Sequence, residues 1–178
     1  MRIVGGKYKG RVLCELKGNA IRPTADKVRE SLFNILQNRI YGAKFLDLFC
    51  GPGAMGIEAL SRGAKMVTFN DFARDSVAQL RKNLEKLKVD EDYKITNSDA
   101  ISLLKLGGEY DIIYIDPPYN SDLGLRAIGL VKDALAVEGL AILEDEKSFD
   151  SKIDGLKVVD TRKYGRVHLT FFKKGDNL

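Results

Sequence analysis

Asp116-Pro117-Pro118-Tyr119 is the tetrapeptide in this chain whose residue types point most directly to chemistry. It follows the apolar run Ile112-Ile113-Tyr114-Ile115, which predicts a strand buried on both faces with the tetrapeptide at its end. Two consecutive prolines fix their φ angles and lack N–H groups, so Pro117 and Pro118 make a stiff turn that presents carbonyls. The Asp116 carboxylate and the Pro117 carbonyl can then converge on one planar amino group. An exocyclic or amide nitrogen shares its lone pair with a π-system and is a poor nucleophile. Two fixed acceptors orient its protons, localise the lone pair and stabilise the positive charge that develops as the nitrogen attacks. Tyr119 offers an aromatic face on which an extruded base can stack. The plain alternative is a rigid loop with a core-facing tyrosine.

Asp47-Leu48-Phe49-Cys50-Gly51-Pro52-Gly53-Ala54-Met55-Gly56 reads as a strand-to-helix turn whose glycines spell G-x-G-x-x-G, and Asp71 follows Gly51 by twenty residues. This matches a dinucleotide fingerprint, with the acid on the ribose hydroxyls. S-adenosylmethionine asks for the same glycines and the same carboxylate. The two ligands differ beside the ribose, where a pyrophosphate seeks N–H donors and the sulfonium compound brings an ammonium group. Pro52 removes one N–H and Asp47 puts a carboxylate just ahead of the loop, which favours the ammonium and repels phosphate. Asp99, in Ser98-Asp99-Ala100, can accept from an adenine amino group or simply cap a helix. The expected donor-binding set is Asp47, Phe49, Gly51, Gly53, Asp71, Asp99 and Ala100. A dinucleotide, or a tight turn with no ligand, stays open on these residues alone.

Several elements must position these groups. Apolar strands alternate with helical stretches from residue 44, the signature of a parallel sheet with crossover helices. Strands are predicted at Phe45–Phe49, Met66–Asn70, Tyr93–Thr96, Asp111–Ile115 and Leu140–Leu143. Helices are predicted at Gly53–Arg62, around the stripe Val77, Leu80, Leu84 and Leu87, and over Leu123–Val137. Leu156–Tyr164 and Arg166–Lys173 read as a final antiparallel hairpin, with His168 on the face opposite Val167, Leu169 and Phe171. At the front, Arg2–Val4 and Arg11–Leu16 flank a glycine-rich turn, and Pro23-Thr24 starts a helix with Thr24 as its cap and Val28, Leu32, Ile35, Leu36 and Ile40 buried.

The 178 residues suit one domain, and 44% hydrophobic with 30% charged side chains is the mix of an ordered protein. No apolar run approaches the roughly 18 residues of a membrane span, and the first six residues lack a long apolar stretch, so a cytoplasmic location is expected. Cys14 and Cys50 are the only cysteines and His168 the only histidine, which leaves no Cys/His cluster for zinc and little for a hydrolase triad. No metal is expected, and the cysteines are expected as thiols. The net charge of +4 hides an asymmetry: residues 1–39 carry nine basic and three acidic side chains, and the remainder is mildly acidic. Arg2, Lys7, Lys9, Arg11, Arg22, Thr24, Lys27 and Arg29 are the expected contacts to a nucleic-acid phosphate backbone. A solvated hairpin and helix face is the plain alternative.

The chain resembles the Rossmann-like class I amino methyltransferases that use (Asp/Asn)-Pro-Pro-(Tyr/Phe) turns on adenine N6, guanine N2 or glutamine amides. Along its entire length it resembles the bacterial family that methylates guanine N2 at one site in 16S ribosomal RNA. Arg2–Arg11, Arg22–Leu36, Leu46–Gly63 and Asp116–Tyr119 carry that likeness. The resemblance implies an α/β fold with a mostly parallel sheet and an antiparallel C-terminal hairpin, with S-adenosylmethionine as donor and S-adenosylhomocysteine as product. It implies that Asp47, Gly51 and Gly53 line the donor pocket, Asp71 holds the ribose and Asp99 the adenine. Asp116 and Pro117 would grip the guanine amine and Tyr119 would stack on the base. Residues 1–40 form a basic extension on the catalytic core of 41–178, and the partner is 16S ribosomal RNA in a partly or fully assembled small subunit. A monomer is expected. One departure is Asn70-Asp71, where the family pattern has an apolar residue and Glu. A DNA adenine-N6 methyltransferase, a nicotinamide-dependent oxidoreductase and a non-catalytic RNA-binding module remain the alternatives.

Overall fold

A computed structural model of the protein describes residues 1–15, 23–118 and 121–175, with the backbone alone for residues 23–25. Among the described residues seven strands form one sheet: β1 (Lys44–Asp47), β2 (Met66–Asn70), β3 (Tyr93–Thr96), β4 (Tyr110–Ile115), β5 (Leu135–Asp145), β6 (Leu156–Tyr164) and β7 (Val167–Lys174). Their order is β3-β2-β1-β4-β5-β7-β6, with β1 to β5 parallel and β7 antiparallel to both β5 and β6. Five helices among the described residues accompany them: α1 (Pro23–Ile35), α2 (Ala54–Ser61), α3 (Arg74–Leu87), α4 (Ala100–Lys105) and α5 (Leu123–Ile128). The order reverses between β1 and β4, so the loops after these strands frame a crevice at their C-terminal ends.

Alternation along the central strands divides the core in two. Phe45, Ile112, Tyr114, Leu140 and Ile142 face α1, α2 and α3 in one cluster, which also takes Ile3, Tyr8 and Leu13 of the N-terminal segment. Leu46, Ile113, Ile115, Ala141 and Leu143 face α4 and α5 in the other. Both faces are covered, which is why these strands read as continuous apolar runs. On β7, Leu169 and Phe171 join the first cluster and Phe172 the second, while Thr170 is also buried. His168 is half-buried, and its Nδ1 lies 3.1 Å from the Glu146 carbonyl.

Three expectations change. The helix predicted over Leu123–Val137 ends at Ile128; a short 3-10 turn at Val131–Asp133 follows, and Leu135–Val137 already belongs to β5. Pairing decides this, because Leu135 registers against Tyr110 of β4 and the Tyr110 N–H donates to the Ala134 carbonyl at 2.9 Å. The front strands reduce to one bridge between Arg2 and Val12, and Leu16 lies outside the described residues. Ile35 is 39% exposed, while Phe33 is buried and stacks on Phe45 with ring centroids 6.2 Å apart. No helix among the described residues is long and apolar enough to cross a membrane.

Candidate active site

The glycine loop is held by its own backbone. Leu48 donates to Tyr114 O, Cys50 to Asn70 O at 2.8 Å and Gly53 to Cys50 O at 2.8 Å, so the chain turns from β1 straight into α2. Gly53 precedes α2 with φ +91°, where a Cβ would meet Leu80 Cδ1 at 2.3 Å; only glycine fits this turn over α3. At Gly56 a Cβ would lie 2.2 Å from Phe69 Cε1, so α2 packs directly on β2. Two loop N–H groups are spent on carboxylates: Gly51 donates to Asp71 Oδ2 at 2.8 Å and Gly56 to Asp47 Oδ2 at 2.9 Å. With Gly53 bonded internally and no N–H on Pro52, the loop opposes a pyrophosphate and suits a cationic or neutral ligand.

A cleft of about 520 Å³ opens beside this loop, lined by Phe49, Asn70, Asp71, Phe72, Ala73, Asp99, Ala100, Asp116, Pro117, Pro118 and Leu123. Its apolar walls suit a flat aromatic base, with Asp71 and Asp99 at successive strand ends to accept hydrogen bonds. Asp71 Oδ1 also accepts from Ala73 N at 2.8 Å, so backbone donors on both oxygens fix the carboxylate in place. Asn70, buried at the position of the family departure, donates to Leu48 O and Ser98 O and accepts from Thr96 and Ser98 hydroxyls. It fastens the ends of β1, β2 and β3 together, a task no apolar side chain performs. Asp99 caps α4 through Ser102 N and Oγ, bonds that hold its carboxyl below the ordinary range, while it also lines the cleft. The cap and a ligand contact are therefore compatible.

An adjoining cavity of about 220 Å³ shares Phe49 and Asp116 with the cleft and adds Asp47, Gly51, Tyr114 and Glu144. Gly53 lines neither cavity and serves as the turn residue before α2. Asp47 is buried and its carboxyl is pushed up to about 7 by desolvation, against the Gly56 N–H bond that favours the ion. Tyr114 donates its hydroxyl to Glu144 Oε2; burial raises both groups above their usual ranges. Both cysteines are free, and burial beside Asp47 and Asp71 pushes the Cys50 thiol well up. Asp116, Pro117 and Pro118 thus stand in the wall between the cleft and its neighbours. Tyr119 lies outside the described residues. Tyr114 and Glu144 escape the sequence reading because one looks like core and the other like an ordinary acidic strand end.

The basic front end divides. Arg2, Lys9, Arg11 and Lys27 are exposed. Arg22 lies outside the described residues, as does the side chain of Thr24. Arg29 does not face solvent as expected: it is 2% exposed, binds Asp26 at 2.8 Å and the Arg2 carbonyl, and lies 3.6 Å from Glu58. Fully buried Glu58 also accepts from Arg62 at 2.7 Å and from Val4 N at 2.9 Å, so this network ties the N-terminal segment to α2. Lys7 is committed to Asp90 and Glu91, which hold its ammonium protonated far above neutrality, and Tyr8 donates to Glu91 at 2.6 Å. The Lys7 charge is offset locally by these two carboxylates.

The family model described as Conserved hypothetical protein 95 matches residues 1–173. The chain belongs to this family. The Ribosomal RNA small subunit methyltransferase D of Escherichia coli strain K12 is 42% identical over 82% of this chain and 75% of its own length. The protein of that name from Haemophilus influenzae is 38% identical over 83% of this chain and 79% of its own. A solved Escherichia coli structure, described as a candidate methyltransferase, yhhF, superposes with a TM-score of 0.87 at 36% identity, covering 98% of this chain and 97% of that one. The fold is that of a class I methyltransferase, as the residues at the glycine loop and the Asp-Pro-Pro turn lead one to expect, and the protein is a methyltransferase.

Proposed function

We propose that the protein transfers a methyl group from S-adenosylmethionine to the exocyclic N2 amine of a guanine in small-subunit ribosomal RNA, within a partly or fully assembled subunit in the cytoplasm. The observation that carries this reading is the position of Asp116 between two cavities, the first of which Pro117 and Pro118 also line. Asp71 and Asp99 would hold the ribose and adenine of the donor, and Asp47 its ammonium group. When bound, the donor supplies a methyl on a sulfonium, and the C–S bond pair stays on sulfur as the methyl leaves. Asp116 and the Pro117 carbonyl accept hydrogen bonds from the two amine N–H groups, which turns the nitrogen lone pair toward the donor cleft and steadies the charge that forms on nitrogen. One proton then leaves through Asp116 to solvent, and the amine is neutral again. Tyr119 stacks on the extruded base. Exposed Arg2, Lys9, Arg11 and Lys27 dock the phosphate backbone, and the names of the relatives support a ribosomal substrate.

The test is incubation with labelled S-adenosylmethionine and small subunits lacking their base methylations, followed by digestion and nucleoside analysis. Labelled N2-methylguanosine is expected. Label in N6-methyladenosine, or in protein, overturns the guanine reading.

A further inference from the structure

Guanine presents two neighbouring donors on one edge, the N2 amine and the ring N1–H, whereas adenine presents an acceptor at N1. If Asp116 and Pro117 accept hydrogen bonds from both amine N–H groups, the N1–H needs a third acceptor beside Asp116. Left unpaired in a closed pocket, such a donor loses its bond to water with nothing in return. The register of the sheet supplies a candidate. Tyr114 pairs with Ile142 and Ile115 with Leu143, so one further step sets Asp116 beside Glu144 on the face that carries Tyr114. Asp47 pairs with Tyr114 from the other side, so Asp47, Tyr114, Asp116 and Glu144 crowd one end of β1, β4 and β5. All four line the same cavity.

Glu144 is held there. The Tyr114 hydroxyl, on a side chain 2% exposed, donates to Glu144 Oε2 and leaves Oε1 as the acceptor for a ligand. The half-buried carboxylate sits between the adjoining cavity and a third one of about 170 Å³ that includes Pro117 and Pro118. An acidic oxygen in this place also repels the N1 lone pair of adenine.

We infer that Glu144, positioned by Tyr114, reads the N1–H of the target guanine and so sets the preference for guanine over bases that lack that proton. This rests on the guanine-N2 reading above. The discriminating substrate is 2-aminopurine, which keeps the acceptor amine but has a bare N1. Small subunits are reconstituted with RNA in which the methylated guanosine carries 2-aminopurine instead, and single-turnover transfer is measured on both.

Wild-type protein is expected to prefer guanine by about 100-fold, the scale of one well-placed base contact. Glu144→Gln keeps the shape, and with its carbonyl held by Tyr114 it turns an N–H2 toward N1. Its guanine rate is expected to fall about 100-fold while the 2-aminopurine rate holds or rises, so the preference collapses to below about tenfold. A fall by one common factor on both substrates makes Glu144 a packing residue and overturns the inference. Equal wild-type rates on the two substrates overturn it without recourse to any variant. Wild-type labelling of a nucleoside other than N2-methylguanosine overturns the guanine reading and this inference with it.

Discussion

Asp116 borders both the cleft and the adjoining cavity, and the proposed transfer turns on it. Asp116→Ala is expected to lower single-turnover transfer by 10³-fold or more. S-adenosylhomocysteine affinity, read by titration calorimetry, should stay within a few-fold of wild type, and a comparable loss of both would assign Asp116 to the donor instead. Asp47 carries a pH prediction. Its folded value of about 7 stands above the 3.8 of a free carboxyl, so the native state binds more protons than the unfolded chain between these values. Stability of the ligand-free protein therefore falls as pH rises from about 4 to 7 and levels off above, a loss of a few kcal/mol from this group. Urea midpoints across that range should show the decline, and Asp47→Asn should flatten it. The residue types themselves were readable in the sequence: an acid, two prolines and spaced glycines are a chemical statement before they are a structural one. The service of Asn70 was not, because its four hydrogen bonds go to the ends of two other strands, β1 and β3.

At the scale of elements, the N-terminal segment is joined to the catalytic body by polar contacts as well as by its apolar side chains. Asn83 of α3, fully buried, donates to Cys14 O and Pro52 O and accepts from Cys14 N, linking that segment to the glycine loop. The Glu58 network ties it to α2 in the same way. Arg29→Ala is expected to destabilise the protein by roughly 3 kcal/mol, at the low end for a broken buried pair because Arg62 still faces Glu58. The salt dependence of RNA binding should stay unchanged. Thermal melts and binding isotherms separate the two effects; a stable variant with a shallower salt slope would return Arg29 to the RNA surface. Helical spacing correctly marked Val28, Leu32 and Leu36 as core, yet could not tell that a basic residue among them is buried too. Of the two acids that make its burial tolerable, Asp26 is a helical neighbour, but Glu58 is twenty-nine positions away.

For the whole molecule, charge is distributed so that the front end alone is strongly basic, but internal pairing trims the cations it offers. Replacing Arg2, Lys9, Arg11 and Lys27 together by neutral residues is expected to lower the slope of log affinity against log salt by about 3, if each meets one phosphate. Adding Lys7→Ala should change it little, because Asp90 and Glu91 already offset that charge. Filter binding to small-subunit RNA over a range of salt checks this, and an unchanged slope in the fourfold variant would leave these residues a structural role.

The sequence by itself determined the alternation of strands and helices, the glycine turn, the acids at strand ends and the Asp-Pro-Pro turn, because each is a local pattern of spacing or backbone freedom. Tertiary structure decided where β5 begins, which cations stay in solvent and which carboxylate stands next to Asp116. Those outcomes depend on register between strands distant in sequence: Leu135 extends a strand only because Tyr110 is there to pair with it, and Glu144 meets Tyr114 only because β4 and β5 lie side by side.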